Sequence, residues 1–150
     1  MGVDIYAKWD GQTEVEANAQ ITGWHSAGAL GYLRGSYFGG YSDVLYEVFH
    51  SCDWEASSTP VTLLNITEIR GAVMGIRARG GTRPGHEFDS PITKIVEAVS
   101  PLLDKLNVET NEGMRDARVE EAFLREMEAF ADLCESKLIA GLAPQILISW

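Results

Sequence analysis

The sequence predicts an α+β fold: a single, mostly helical domain over residues 1–150, with a small sheet pairing the N- and C-terminal strands. Three observations carry this reading. The opening "VDIYAKW" alternates, with Val3, Ile5, Ala7 and Trp9 on one side and Asp4, Tyr6 and Lys8 on the other, which is the period of a strand with one buried face. The chain closes on "QILISW", Gln145–Trp150, a second strand candidate. Most of the chain between them repeats its apolar residues at helical spacing. A lone strand cannot satisfy its own backbone, so the two terminal strands are expected to pair with each other.

The elements follow in order. Asp10-Gly11 ends the first strand with a turn, and a short helix is expected over 13–19. Thr22–Tyr41, "TGWHSAGALGYLRGSYFGGY", holds six glycines and is too broken for a long helix. Ser42 reads as the N-cap of a helix with Val44, Leu45, Val48 and Phe49 on its apolar side. Residues 55–60, "EASSTP", read as a loop, and "VTLLNI" after it fits either a strand or a helix start. From Thr67 the pattern is helical, with Ile69, Ala72, Val73 and Ile76 on one side. Gly71 and Gly75 are expected to admit a close neighbouring helix. "RGGTRPG" is a loop. A helix from Ser90 carries the stripe Ile92 to Leu106, with a kink at Pro101. The longest helix is expected over 111–140, burying Val119, Ala122, Phe123, Met127, Phe130, Leu133 and Leu138, with Gly141 as its cap.

Composition narrows function. Hydrophobic residues make up 45% and charged residues 23%, an ordinary globular balance, and the net charge is −10. That charge disfavours nucleic acid and anionic membrane surfaces as partners. No apolar leader and no span long enough for a bilayer appear, so a cytoplasmic protein is expected. Cys52 and Cys134 lack a CxxC arrangement and read as reduced thiols.

The glycines of residues 22–41 match neither GxGxxG nor GxxxxGK[ST], so no nucleotide cofactor is expected. What remains is a flexible backbone with Trp24, Tyr32, Tyr37, Phe38 and Tyr41 around Arg34, the one charge between Glu16 and Asp43. Rings and a guanidinium can grip a planar or anionic ligand. The plainer alternative, that the rings are core and the glycines turns, is the preferred one. Arg34 would then be structural, held by Asp43, Glu47 or Asp53. A second candidate is the locally positive stretch with Arg70, Arg77, Arg79 and Arg83: an anion site at this loop, with Arg79 and Arg83, is the sharper alternative to the preferred reading, in which Arg77 and Arg79 are helix-end cations. "HSCD", His50–Asp53, reads as a helix-end histidine and a buried cysteine, not a catalytic pair. "HEFD", His86–Asp89, has no second cluster to complete a metal site, and no metal is expected. The acidic residues from Glu112 to Glu135 read as a solvated face, with mimicry of a DNA backbone as the sharper alternative.

"GVDIYAKWDG", "GALGYLRGSYFGGY" and the final helix leading into "ILISW" together resemble a small family of phage, prophage and bacterial proteins. The resemblance covers these three segments and not the middle of the chain. It implies the terminal-strand architecture and a mobile-element context, and it brings no catalytic residue. The expected function is therefore a non-catalytic accessory protein binding a partner protein or a small anionic ligand, with a homodimer as one form of partnership. The alternative is a small enzyme acting on an anionic or aromatic metabolite through residues 22–41.

Overall fold

The computed structural model describes residues 2–22, 25–35, 40–56, 58–83 and 118–150. The elements are β1 (Val3–Lys8), α1 (Glu14–Ile21), a 3-10 turn (Gly28–Leu30), β2 (Tyr32–Gly35), α2 (Ser42–Val48), β3 (Ser58–Pro60), α3 (Leu63–Ala78), α4 (Glu121–Ile139) and β4 (Gln145–Ser149). The helix expected from Ser90 lies outside the described residues, as do Trp24 and Tyr37.

The terminal strands do pair. The sheet is antiparallel in the order β2-β1-β4-β3, and Ile5 faces Ile148 while Ala7 faces Ile146 across the β1–β4 ladder. The expected alternation holds: Ile5, Ala7, Leu33, Ile146 and Ile148 are buried on the inner face. They pack against Val44, Leu45, Val48 and Phe49 of the α2 region, Ile66, Ile69, Val73 and Ile76 of α3, and Phe123, Met127 and Phe130 of α4. Phe49 meets Phe130 edge to face at 5.5 Å between ring centres.

Several local expectations are corrected. Residues 58–60 were expected in a loop but form edge strand β3 on β4, where Pro60 is tolerated because an edge leaves one side of the ladder unpaired. Of the two readings left open for "VTLLNI", the helix start holds: α3 opens at Leu63, where Thr62 and Asn65 cap it reciprocally. Ser42 lies inside α2, with Tyr41 at the cap position. The last helix begins at Glu121: Arg118 bridges Thr82, and the Val119 N–H bonds the Gly81 carbonyl. Ala140 is the C-cap, and Gly141 follows it at φ 75°. The buried stripe of α4 includes Leu124, Ala131 and Cys134, whereas Ala122 is exposed.

The glycine-rich stretch divides into a turn and a strand. Gly28 packs so tightly on α4 that a Cβ there would overlap the Glu126 carbonyl, and Gly31 takes φ 82° to lead into β2. Gln20, fully buried, secures this corner: its amide donates to the carbonyls of Ala7 and Leu30, both at 2.8 Å, and its oxygen accepts from Lys8 Nζ at 2.7 Å. Gly71 and Gly75, expected to admit a close helix, have open space where a Cβ would stand.

Two stability predictions follow from these contacts. Phe130→Ala is expected to cost about 3–5 kcal/mol in chemical denaturation, because the ring is fully enclosed. The glycines should behave oppositely: Gly71→Ala should stabilise by roughly 0.5–1 kcal/mol through helix propensity, while Gly28→Ala should lower the melting temperature sharply. Equal effects of the two glycine substitutions would contradict the packing described.

Candidate functional site

The arginines divide into two groups. The four from the locally positive stretch are all bound within the chain. Arg70 on α3 reaches Asp132 at 2.7 Å and Glu135 at 2.6 Å on α4, and Arg77 reaches Glu121 at 2.9 Å and binds Glu128. Arg79, at the C-cap of α3, forks onto both carboxylate oxygens of Glu47, each at 2.7 Å, and its Nε–H donates to the Thr82 carbonyl. Arg83 binds Asp43 at 2.6 Å and the Gly40 carbonyl. The anion site expected at Arg79 and Arg83 is thus filled by the chain's own carboxylates, in the planar two-point geometry for which arginine is suited. The same pairs correct the reading of the acidic helix. Four of its carboxylates, on Glu121, Glu128, Asp132 and Glu135, face α3 arginines and do not form a free negative face.

Arg34 differs. It is exposed on β2, and among the described residues its guanidinium has no carboxylate partner. Asp43 and Glu47, expected to hold it, hold Arg83 and Arg79 instead. Asp4 stands directly opposite Arg34 in the ladder, but its carboxylate accepts the Tyr32 hydroxyl at 2.8 Å. Tyr32 is buried, and burial together with that carboxylate pushes its hydroxyl up to about 12. Tyr32 is therefore a scaffold ring.

Arg34 lines an open groove of about 420 Å³ together with His25, Ser26, Tyr41, Glu120, Phe123 and Glu126. Several contacts shape it. Ser26 Oγ accepts the Arg34 N–H at 2.9 Å, holding the strand edge. The Tyr41 ring lies 4.6 Å from Phe123 and 5.4 Å from the Arg83 guanidinium, and its hydroxyl accepts the Glu120 N–H at 3.3 Å. Glu126 accepts the Gly28 N–H at 2.6 Å. Among the described residues the groove thus offers the Arg34 guanidinium without a carboxylate partner, an aromatic pair and two carboxylates. Glu120, Phe123 and Glu126 were not foreseen as part of the site, since nothing near Arg34 in sequence points to a helix start almost ninety residues away.

The thiols are poor nucleophile candidates. Cys52 and Cys134 are free and buried, and burial pushes them up to about 11 and about 12 respectively. His50 is exposed at a helix end, with Nδ1 2.8 Å from the Glu47 carbonyl. Among the described residues no cluster of three metal-ligating side chains occurs, and no helix is long and apolar enough to cross a membrane.

The α3–α4 ion pairs predict a pH dependence. Hydrogen bonds from Arg77 and Arg70 hold Glu128 and Glu135 below the ordinary carboxylate value of 4.5. Their contribution is present above that value and is lost as pH falls below it through the lowered folded values. The melting temperature should therefore fall on acidification below about pH 4.5, and the fall should be shallower in the double variant Arg70→Met, Arg77→Met. An unchanged acid profile in that variant would remove these pairs from the explanation.

Comparison with protein-family models, curated proteins and solved structures finds no match to this chain.

Proposed function

We propose that this chain is a non-catalytic, cytoplasmic accessory protein of phage or prophage type, and that the groove beside Arg34 is where it holds a partner. The observation that carries the reading is the free guanidinium of Arg34, set beside the Tyr41–Phe123 ring pair. An aromatic centre with arginine at its side is the composition that concentrates binding energy in protein interfaces. The flanking Glu120 and Glu126 favour a protein partner of mixed charge over a small anion, which would meet two carboxylates for one guanidinium. The Ser26 hydroxyl is engaged with the Arg34 backbone, donating to its carbonyl and accepting its N–H.

Two variants test the reading. Arg34→Gln should leave stability within about 0.5 kcal/mol, as expected for an exposed side chain. Host proteins cross-linked to the unaltered chain should be lost from Arg34→Glu. Calorimetric titration with phosphate, acetate and ATP measures the small-anion alternative, and affinity for one of these that Arg34→Gln abolishes would transfer the site to a small ligand. A large stability loss in Arg34→Gln would return Arg34 to the scaffold and overturn the proposal.

A further inference from the structure

The outer face of the sheet carries a second pocket, independent of the Arg34 groove. It is an open pocket of about 460 Å³ lined by Tyr6, Trp54, Glu55, Leu147 and Trp150. Register places Tyr6 and Leu147 side by side on β1 and β4. They point away from the core, because the residues alternating with them, Ile5, Ala7, Ile146 and Ile148, are the buried ones.

The indoles are held by their edges. Trp54 Nε1–H donates to the Phe49 carbonyl at 3.0 Å, and Trp150 Nε1–H donates to the Trp54 carbonyl at 3.1 Å. Both polar handles of the tryptophans are thus engaged within the chain, and what they offer a ligand is ring surface. Trp54 is braced further by Tyr46, 5.1 Å away, and Tyr6 by Tyr32, 5.2 Å away. Trp150 nevertheless remains 69% exposed.

We infer that this pocket binds a quaternary or alkylated ammonium group. Aromatic faces carry negative quadrupole charge and attract cations, and several rings around one volume with a carboxylate nearby form the arrangement that recognises ions too bulky to hydrogen-bond. Charge agrees: Glu55 is the charged group lining the pocket, and the chain as a whole carries −10. A neutral ligand of the same shape would gain only the burial of its methyl groups.

The test uses the full chain and choline, followed by tryptophan fluorescence and by chemical shifts of the indole N–H groups. The neutral isostere 3,3-dimethylbutan-1-ol is the control. Choline should perturb the Trp54 and Trp150 signals and bind at least about tenfold more tightly than the alcohol, a difference that only the charge can supply. Trp150→Leu, exposed and so expected to fold, should weaken choline about tenfold, and Glu55→Gln should weaken it by a smaller factor. Phosphatidylcholine vesicles distinguish the source: binding of both choline and vesicles assigns a lipid headgroup, and binding of choline alone assigns a free cation. Equal affinity for choline and the alcohol, no perturbation by choline up to about 10 mM, or full choline binding by a normally melting Trp150→Leu would each overturn the inference.

Discussion

The pairing of β1 with β4 is the constraint on which the rest depends. A six-residue strand at the start of the chain has ladder groups on both sides that need partners. β4 supplies one side and β2 the other, so the ends of the chain lie side by side at the centre of the sheet. The chain between them adds β2 on the β1 side and β3 on the β4 side. The helices consequently gather on the face where Ile5, Ala7, Ile146 and Ile148 project, and the opposite face is left for aromatic and polar side chains.

Charge is arranged around that frame with a clear consequence for binding. Helices α3 and α4 lie side by side, and each cation that α3 offers along the contact finds carboxylates on α4. The turn after α3 is tied to α2 in the same way by Glu47 and Asp43. These groups are partly exposed, so each pair adds modestly to stability, and their larger effect is to fix which helix faces meet. With those carboxylates occupied, and Asp4 engaged by Tyr32, none of these groups pairs with Arg34 among the described residues.

Legibility in sequence followed the range of the interactions. The terminal strands could be read because alternation is written residue by residue, and the α2 stripe because helical period is too. Burial of Phe123 and Phe130 was readable for the same reason. The short strands were not. β2 sits among glycines, and β3 is three residues ending in proline, so both exist only because a neighbouring strand is there to pair with. Gly71 and Gly75 misled because spacing identifies a face without identifying what covers it. Around Arg34, Tyr41 is the one foreseen ring that lines its groove among the described residues, and the assignment of Asp43 and Glu47 was not legible. Sequence proximity pointed them to Arg34, whereas the fold brings Arg83 and Arg79 closer. The partners of the acidic helix were not legible either, since its arginines lie 44 to 65 residues upstream, although Glu120, Glu121 and Asp132 are exposed as a solvated face requires.

The division between bound and free guanidinium groups can be measured directly by hydrogen exchange of arginine Nε–H groups in NMR. The Nε–H groups of Arg77, Arg79 and Arg83 donate to Glu121, the Thr82 carbonyl and Asp43 respectively, and should exchange slowly, while that of Arg34 should exchange at the rate of an exposed arginine. Protection of Arg34 equal to that of the other three would show that it too is bound within the fold, and would remove the groove as a site for a partner.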